Sequence, residues 1–355
     1  MITSFFFQTL VVLHRRSLPW MLTMMGISVA SLIGGCQPKA SHNYIKLQGR
    51  TMGTTYQITY RSSQKDSLQE GIDSLLKAFL QSVSTYEPQS TISSFNQAER
   101  GVVMDTLFRN VLEASRKIYR MTDGAFDPTV GPLVNAWGFG YEKKPNKDSA
   151  TIDSLLQLVG LDRLEVRGDS LIKPDPRIEL DFSAIAKGYG VDLVADYLQK
   201  KGIDDYFVEI GGEIRVSGRN PGGDSWRIGI ERPEENQSAL KAILTVNRGA
   251  LATSGNYRNF YYEDGAKYAH TISPVTGYPV QHQLLSASVW ASDCMQADAL
   301  ATAFMVMGHR KAQAFIKKYD VDAYFIYASS EGDLRTYESP GLKSHIETIP
   351  EKEAG

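Results

Sequence analysis

Cysteine, histidine and net charge are all scarce in this 355-residue chain. Its two cysteines, Cys36 and Cys294, permit one disulfide at most, which excludes a disulfide-stapled scaffold. Lysine and arginine number 38 against 40 aspartates and glutamates, a formal net charge of -2, so electrostatics give no reason to expect nucleic acid as a partner. The common nucleotide and hydrolase signatures are also missing. There is no Gly-rich loop ending in Gly-Lys-Ser/Thr, no Gly-x-Ser-x-Gly elbow and no His-Glu-x-x-His pair. Gly188-Tyr189-Gly190 lacks the third glycine of a dinucleotide fingerprint, and Gly138-Phe139-Gly140 does not open a helix after a strand. A nucleotide bound here is held by other means. What remains is ordinary globular composition, 42% hydrophobic and 22% charged, long enough for one large domain or two interlocked ones.

The N-terminus reads as a targeting segment. His14-Arg15-Arg16 supplies positive charge, Leu18 to Ile33 is nearly charge-free, and the run ends Gly34-Gly35-Cys36. Another apolar stretch, Phe5 to Leu13, precedes the basic pair. The segment resembles a bacterial lipobox, which implies a signal peptide over 1–35, acylation of Cys36, a lipidated tether over 36–43 and a folded domain over 44–350. The expected location is the periplasmic side of the inner membrane, on a lipid anchor. The competing reading is an uncleaved spanning helix, for which the run is short of the required length of about 20 residues.

Periodicity predicts helices over Lys65–Thr85, Asp105–Met121, the stretch around Val191–Leu198, Cys294–Met307 and Lys311–Tyr319. It predicts strands over Arg177–Phe182, Tyr206–Ile210, Trp226–Glu231, Ala242–Val246, Leu285–Trp290 and Ala323–Tyr327. The mixture is α+β or α/β, with helices packed on sheets.

Four segments carry possible chemistry. Asp298 and Thr302 lie one helical turn apart among alanines, two hard oxygen donors suited to Mg2+, or equally a buried polar pair in a packing helix. Asp181 to Gly188 joins a strand to a helix and adds Lys187, which suits a phosphate, or a plain N-cap by Asp181 or Ser183. His270 precedes a Pro/Gly turn and suits a general base, or a structural role. Gly124–Pro132 with Trp137–Gly140 forms an aromatic loop that packs on a flat ring or closes a core. His282, His309 and His345 read as surface residues.

Together these segments resemble the ApbE family of FAD:protein FMN transferases. The matching pieces are Met52–Tyr56, Gly124–Pro132 with Trp137–Gly140, Asp181–Asp192, Val208–Glu213, Ala252–Gly255, His270–Pro279, and Ala297-Asp298-Ala299 with Ala301-Thr302. Each is weak alone, but all seven occur in order over residues 47–328. The resemblance implies a two-lobed, T-fold-like α+β fold of mixed sheets and packed helices, with FAD between the lobes. It implies Mg2+ on Asp298, Thr302 and the main-chain carbonyl of Ala184, with FAD as substrate. It places Met52, Tyr86, Ala125, Phe126, Asp127, Asp181, Lys187 and Ile272 at the FAD site and makes His270 the catalytic base. The implied acceptor is a Ser or Thr of an exported flavoprotein, such as an electron-transport subunit. An FAD pyrophosphatase and a non-catalytic flavin-binding lipoprotein are the rival readings, with a general solute-binding lipoprotein a remote third. The chain departs from the family at Ser273, where an aspartate is common.

Overall fold

The computed structural model describes residues 43–63, 67–140, 146–233, 239–256, 260–263 and 266–349. Cys36 and the whole leader segment lie outside them. The described residues form one compact unit.

Eight strands make the central sheet: β1 (Tyr44–Thr51), β2 (Thr54–Arg61), β3 (Tyr206–Ile210), β4 (Glu213–Ser217), β5 (Arg248–Gly255), β6 (Leu284–Ala291), β7 (Asp322–Ala328) and β8 (Leu334–Glu338). They lie side by side in chain order, every pair antiparallel. The β1–β2 hairpin turns through two residues, Met52 and Gly53, with φ of 50° and 71°. Positive φ at both positions matches the twist of the flanking strands, and Gly53 takes it without strain. Two three-stranded antiparallel sheets and the pair Phe260–Glu263 with Ala266–Ala269 complete the strands.

Four helices matter for the site: α1 (Gln69–Val83), α2 (Thr106–Met121), α3 (Ser183–Lys200) and α4 (Cys294–Tyr319). Val191, Val194, Ala195 and Leu198 of α3 are fully buried with Val208 and Ile210 of β3. Ala297, Ala299, Ala301 and Ala303 are fully buried on α4, so the alanine-rich stretch serves close packing on its neighbours. No helix among the described residues is long and apolar enough to cross a membrane.

The fold is α+β, as expected, and most predicted elements are present. Arg177–Phe182 is a correction, because it joins no sheet. Its alternation is real, since Ile178, Leu180 and Phe182 are buried. Its backbone bonds go elsewhere: Leu180 exchanges two hydrogen bonds with the Asn96 side chain, and the Asp181 N–H donates to the Pro128 carbonyl. Side-chain period reports burial, while a strand also needs a neighbouring ladder. The predicted break between two C-terminal helices appears at Gly308, whose φ of 74° and ψ of 161° interrupt α4.

The start of α4 is held from outside. Asp293 accepts the Gln296 N–H, while Asp192 of α3 accepts the Cys294 N–H at 2.9 Å and the Met295 N–H at 2.8 Å. Arg215 closes the group, 2.8 Å from Asp192. Burial, opposed by these partners, pushes the Asp192 carboxyl up to about 6. Replacing Asp192 with Ala strands two helix-start amides and a guanidinium. We expect a loss of about 2–4 kcal/mol in urea unfolding. Asp196→Ala removes only the half-exposed second partner of Arg215 and should cost below about 1 kcal/mol. Equal losses would refute the capping role.

Candidate active site

The N-terminus of α3 and the first turns of α4 meet at the floor of a cavity of about 480 Å³. Gly188 makes the approach possible: a Cβ there would lie 2.3 Å from the Cys294 carbonyl oxygen and 2.8 Å from the Asp298 Cβ. The Gly188 N–H donates to Asp298 Oδ2 at 3.0 Å. Asp298 is 4% exposed, and Thr302 lies one turn further along the same wall. The Thr302 hydroxyl is 3.1 Å from that of Ser254 on β5. Ala184 and Lys187 reach the same cavity from the first turns of α3.

Lys187 forms a 2.5 Å ion pair with Glu213 of β4. Glu213 is 2% exposed, and its second oxygen, Oε2, is buried with no hydrogen-bond partner. Burial and then the charge of Asp298 push the Glu213 carboxyl up. Burial pushes Asp298 up as well, against the pull of Lys187 and the Gly188 N–H. Burial alone would lower the Lys187 ammonium, but Asp298 and Glu213 outweigh it and raise it. Two buried carboxyls share one ammonium, so ionising both is unfavourable and each is driven towards its neutral form. No cluster of three or more His, Cys, Asp or Glu stands ready for a metal among the described residues. Asp298, Thr302 and the Ala184 carbonyl would offer one carboxylate, one hydroxyl and one carbonyl, a donor set that suits a hard ion keeping much of its water, as Mg2+ does.

Aromatic residues also line the cavity. Tyr86, 77% exposed, stands at the cavity with Phe126 and Phe139. Phe139 meets the His270 ring edge-on at 6.3 Å. Trp137 instead closes a small core with Leu133, Ile152 and Ile272, and its indole N–H donates to the Gly277 carbonyl at 2.7 Å. The aromatic loop thus closes a core, one of its two readings, and locks onto the histidine turn. Asp127 lines the cavity, but its oxygens are turned to the Thr129 and Leu161 amides and the Thr129 hydroxyl, so it braces the loop. Asp181 accepts the Ser183 N–H at 2.8 Å, but the N-cap of α3 is Phe182 and makes no side-chain capping bond, so neither Asp181 nor Ser183 is the cap expected.

The histidine turn closes on itself. The Ser273 N–H donates to the Tyr278 carbonyl, the Gly277 N–H to the Ser273 carbonyl, and the Thr276 N–H to the Ser273 hydroxyl at 3.2 Å. Ser273 therefore supplies a turn-holding acceptor without adding charge. His270 and Ile272 line the cavity. The other histidines separate: His345 is exposed, but His282 and His309 are half-buried, a correction to their surface reading. His282 lies 2.7 Å from the Met305 carbonyl of α4, and His309, on α4 itself, stacks on Tyr327 of β7 at 4.7 Å.

Tyr86, Ala125, Phe126, Asp127, Asp181, Ala184, Lys187, His270, Ile272, Asp298 and Thr302 therefore line one cavity. Met52 does not line it: its side chain lies against Gly190 of α3. Sequence reasoning assigned no role to Glu213 or Ser254. The signal for Glu213 was a carboxylate just after the Gly211-Gly212 turn, at the inward-facing start of a strand.

Comparison with known proteins follows the same line. Residues 52–325 match the ApbE family. An FAD:protein FMN transferase of Vibrio cholerae serotype O1 is 38% identical over 331 residues, covering 91% of this chain and 98% of the relative. One from Escherichia coli K12 is 34% identical over 338 residues, covering 90% and 96%. The solved flavin transferase ApbE from Vibrio cholerae superposes with a TM-score of 0.79 at 39% identity, over 86% of this chain and 99% of that one. The apo flavinyl transferase ApbE of Pseudomonas stutzeri gives 0.78 at 33%, over 86% and 97%.

The glycine contact is testable. Gly188→Ala should lower stability by about 1–3 kcal/mol in urea unfolding, because its methyl meets backbone. Gly190→Ala should cost less, because its methyl meets the free end of Met52. The reverse order would show that the helices can separate at no cost.

Proposed function

The chain belongs to the ApbE family, and on that premise we propose that it transfers FMN from FAD to a Ser or Thr hydroxyl of an exported flavoprotein, with Mg2+ beside the pyrophosphate. The observation that carries this reading is that Lys187, with the buried carboxyls of Glu213 and Asp298, lines the same cavity as Tyr86 and Phe139. Tyr86 and Phe139 offer ring faces and edges to a flavin or adenine ring, over the buried Phe126. Lys187 and the N-terminal amides of α3 favour a diphosphate.

Ala184, Asp298 and Thr302 would hold the ion, whose chemistry is to neutralise charge on the phosphate oxygens. Lys187 adds fixed positive charge to the same group, and Glu213 fixes its ammonium. His270 accepts the proton of the acceptor hydroxyl as its oxygen bonds to the FMN phosphorus. The bond from that phosphorus to the bridging oxygen breaks, and AMP leaves with the electron pair. Positioning and electrostatics carry most of such a step.

Mass spectrometry of a candidate exported flavoprotein, after mixing with the enzyme, FAD and Mg2+, tests the reaction. The acceptor should gain the mass of FMN on a Ser or Thr. Asp298→Ala should abolish the gain. His270→Ala should lower turnover by about 100-fold while FAD affinity stays nearly unchanged. Release of FMN and AMP at one rate with or without acceptor, and no mass gain, would make the protein a hydrolase. Full transfer by Asp298→Ala in EDTA would remove the metal from the scheme.

Anchoring follows from the leader sequence: we place the enzyme on the periplasmic side of the inner membrane, acylated at Cys36. Cys36→Ser should abolish palmitate labelling and release the protein from membranes. Unchanged labelling would exclude Cys36.

A further inference from the structure

A second groove, of about 630 Å³, runs beside the cavity, and Ala125 and Val306 line both. One wall is the continuation of the histidine turn, with Val275, Thr276, Pro279 and Val280. Its floor lies at the break in α4. Gly308 leaves that helix with φ 74°, and a Cβ there would lie 3.0 Å from His282 Cδ2. His282 is pinned in turn, to the Met305 carbonyl and the Leu284 N–H. Beyond the break Lys311, Phe315 and Lys318 fall on one helical face and line the groove. Both lysines are exposed, and neither is in an ion pair among the described residues. Asp123, at the end of α2, is the one acidic residue of the lining. Val275 is 67% exposed on the rim.

We propose that this groove docks the acceptor: an extended segment of the partner polypeptide, apolar beside its hydroxyl residue and carrying an acidic side chain that meets Lys311 and Lys318. The proposal rests on the transferase reading above. If FAD fills the first cavity, a hydroxyl presented to His270 must arrive on a chain that leaves by a contiguous channel. This groove shares a wall with the cavity and is built from the same turn that holds His270. Its apolar lining accepts side chains of an extended segment, which advances about 3.3–3.6 Å per residue. Its charge selects the partner, since an excess of lysine at a rim speeds encounter with acidic chains and rejects basic ones.

The test uses the full chain loaded with FAD and Mg2+, and two fluorescein-labelled 12-residue peptides. Both carry one Thr flanked by Val and Ala. One bears two Asp and the other two Lys at matching positions. By fluorescence anisotropy the acidic peptide should bind at least about tenfold more tightly, and Lys311→Glu/Lys318→Glu should reverse the order. The preference should weaken as salt rises. Equal binding of the two peptides, no binding of the acidic one, or a preference that survives the double substitution overturns the proposal. So does a parallel loss of FAD affinity in the double variant, read from flavin fluorescence, because the groove would then belong to the dinucleotide. The transferase reading is judged separately, by the FMN mass gain on a whole acceptor protein.

Discussion

The close crossing of α3 over the start of α4 at Gly188 is the contact on which the site depends. With no side chain in the way, the Gly188 amide reaches Asp298, and the Cys294 carbonyl lies against the α3 backbone. One turn further on, Asp192 takes the first amides of α4. Two helices joined by backbone-to-carboxylate bonds have little freedom to slide. Lys187 and Asp298, one on each, are thereby held at a fixed separation inside the protein. Rigidity of this kind matters in a catalytic site, since small displacements of positioned groups cost catalysis heavily.

The second constraint is electrostatic. Burying Glu213 beside Asp298 is unfavourable, and Lys187 neutralises only part of it. Such an arrangement is costly, and it drives both carboxyls towards their neutral forms. The unsatisfied Glu213 Oε2 marks the same tension from the hydrogen-bonding side. The aromatic wall is built by different means. Trp137 is spent on the core and on the Gly277 carbonyl, and this holds the loop carrying Phe126 and Phe139 against the turn carrying His270.

The elements with strong periodicity were legible from the sequence. α2 spans 106–121 with Asp105 as its cap, and Tyr206–Ile210 and Trp226–Glu231 are strands over the lengths expected. Arg177–Phe182 was misread because alternate burial does not require a hydrogen-bonded neighbour. Its partner is the Asn96 side chain, 84 residues away in sequence. The same limit applies to Met52, whose motif is clear but whose side chain packs on α3.

Local chemistry settled a good deal from the sequence: which residues offer hard oxygens one turn apart, where a helix begins after Asp181, and where Gly277 forces a turn. These follow from backbone preferences and side-chain spacing within about ten residues, and they needed no fold. Tertiary structure alone decided that Asp298 and Thr302 face Lys187 and His270, that Glu213 joins them, and that Asp127 turns its oxygens away from the cavity. It also laid a lysine-edged groove against the same histidine turn. Those contacts join segments well separated along the chain, and only packing, which no local pattern encodes, brings them into one place.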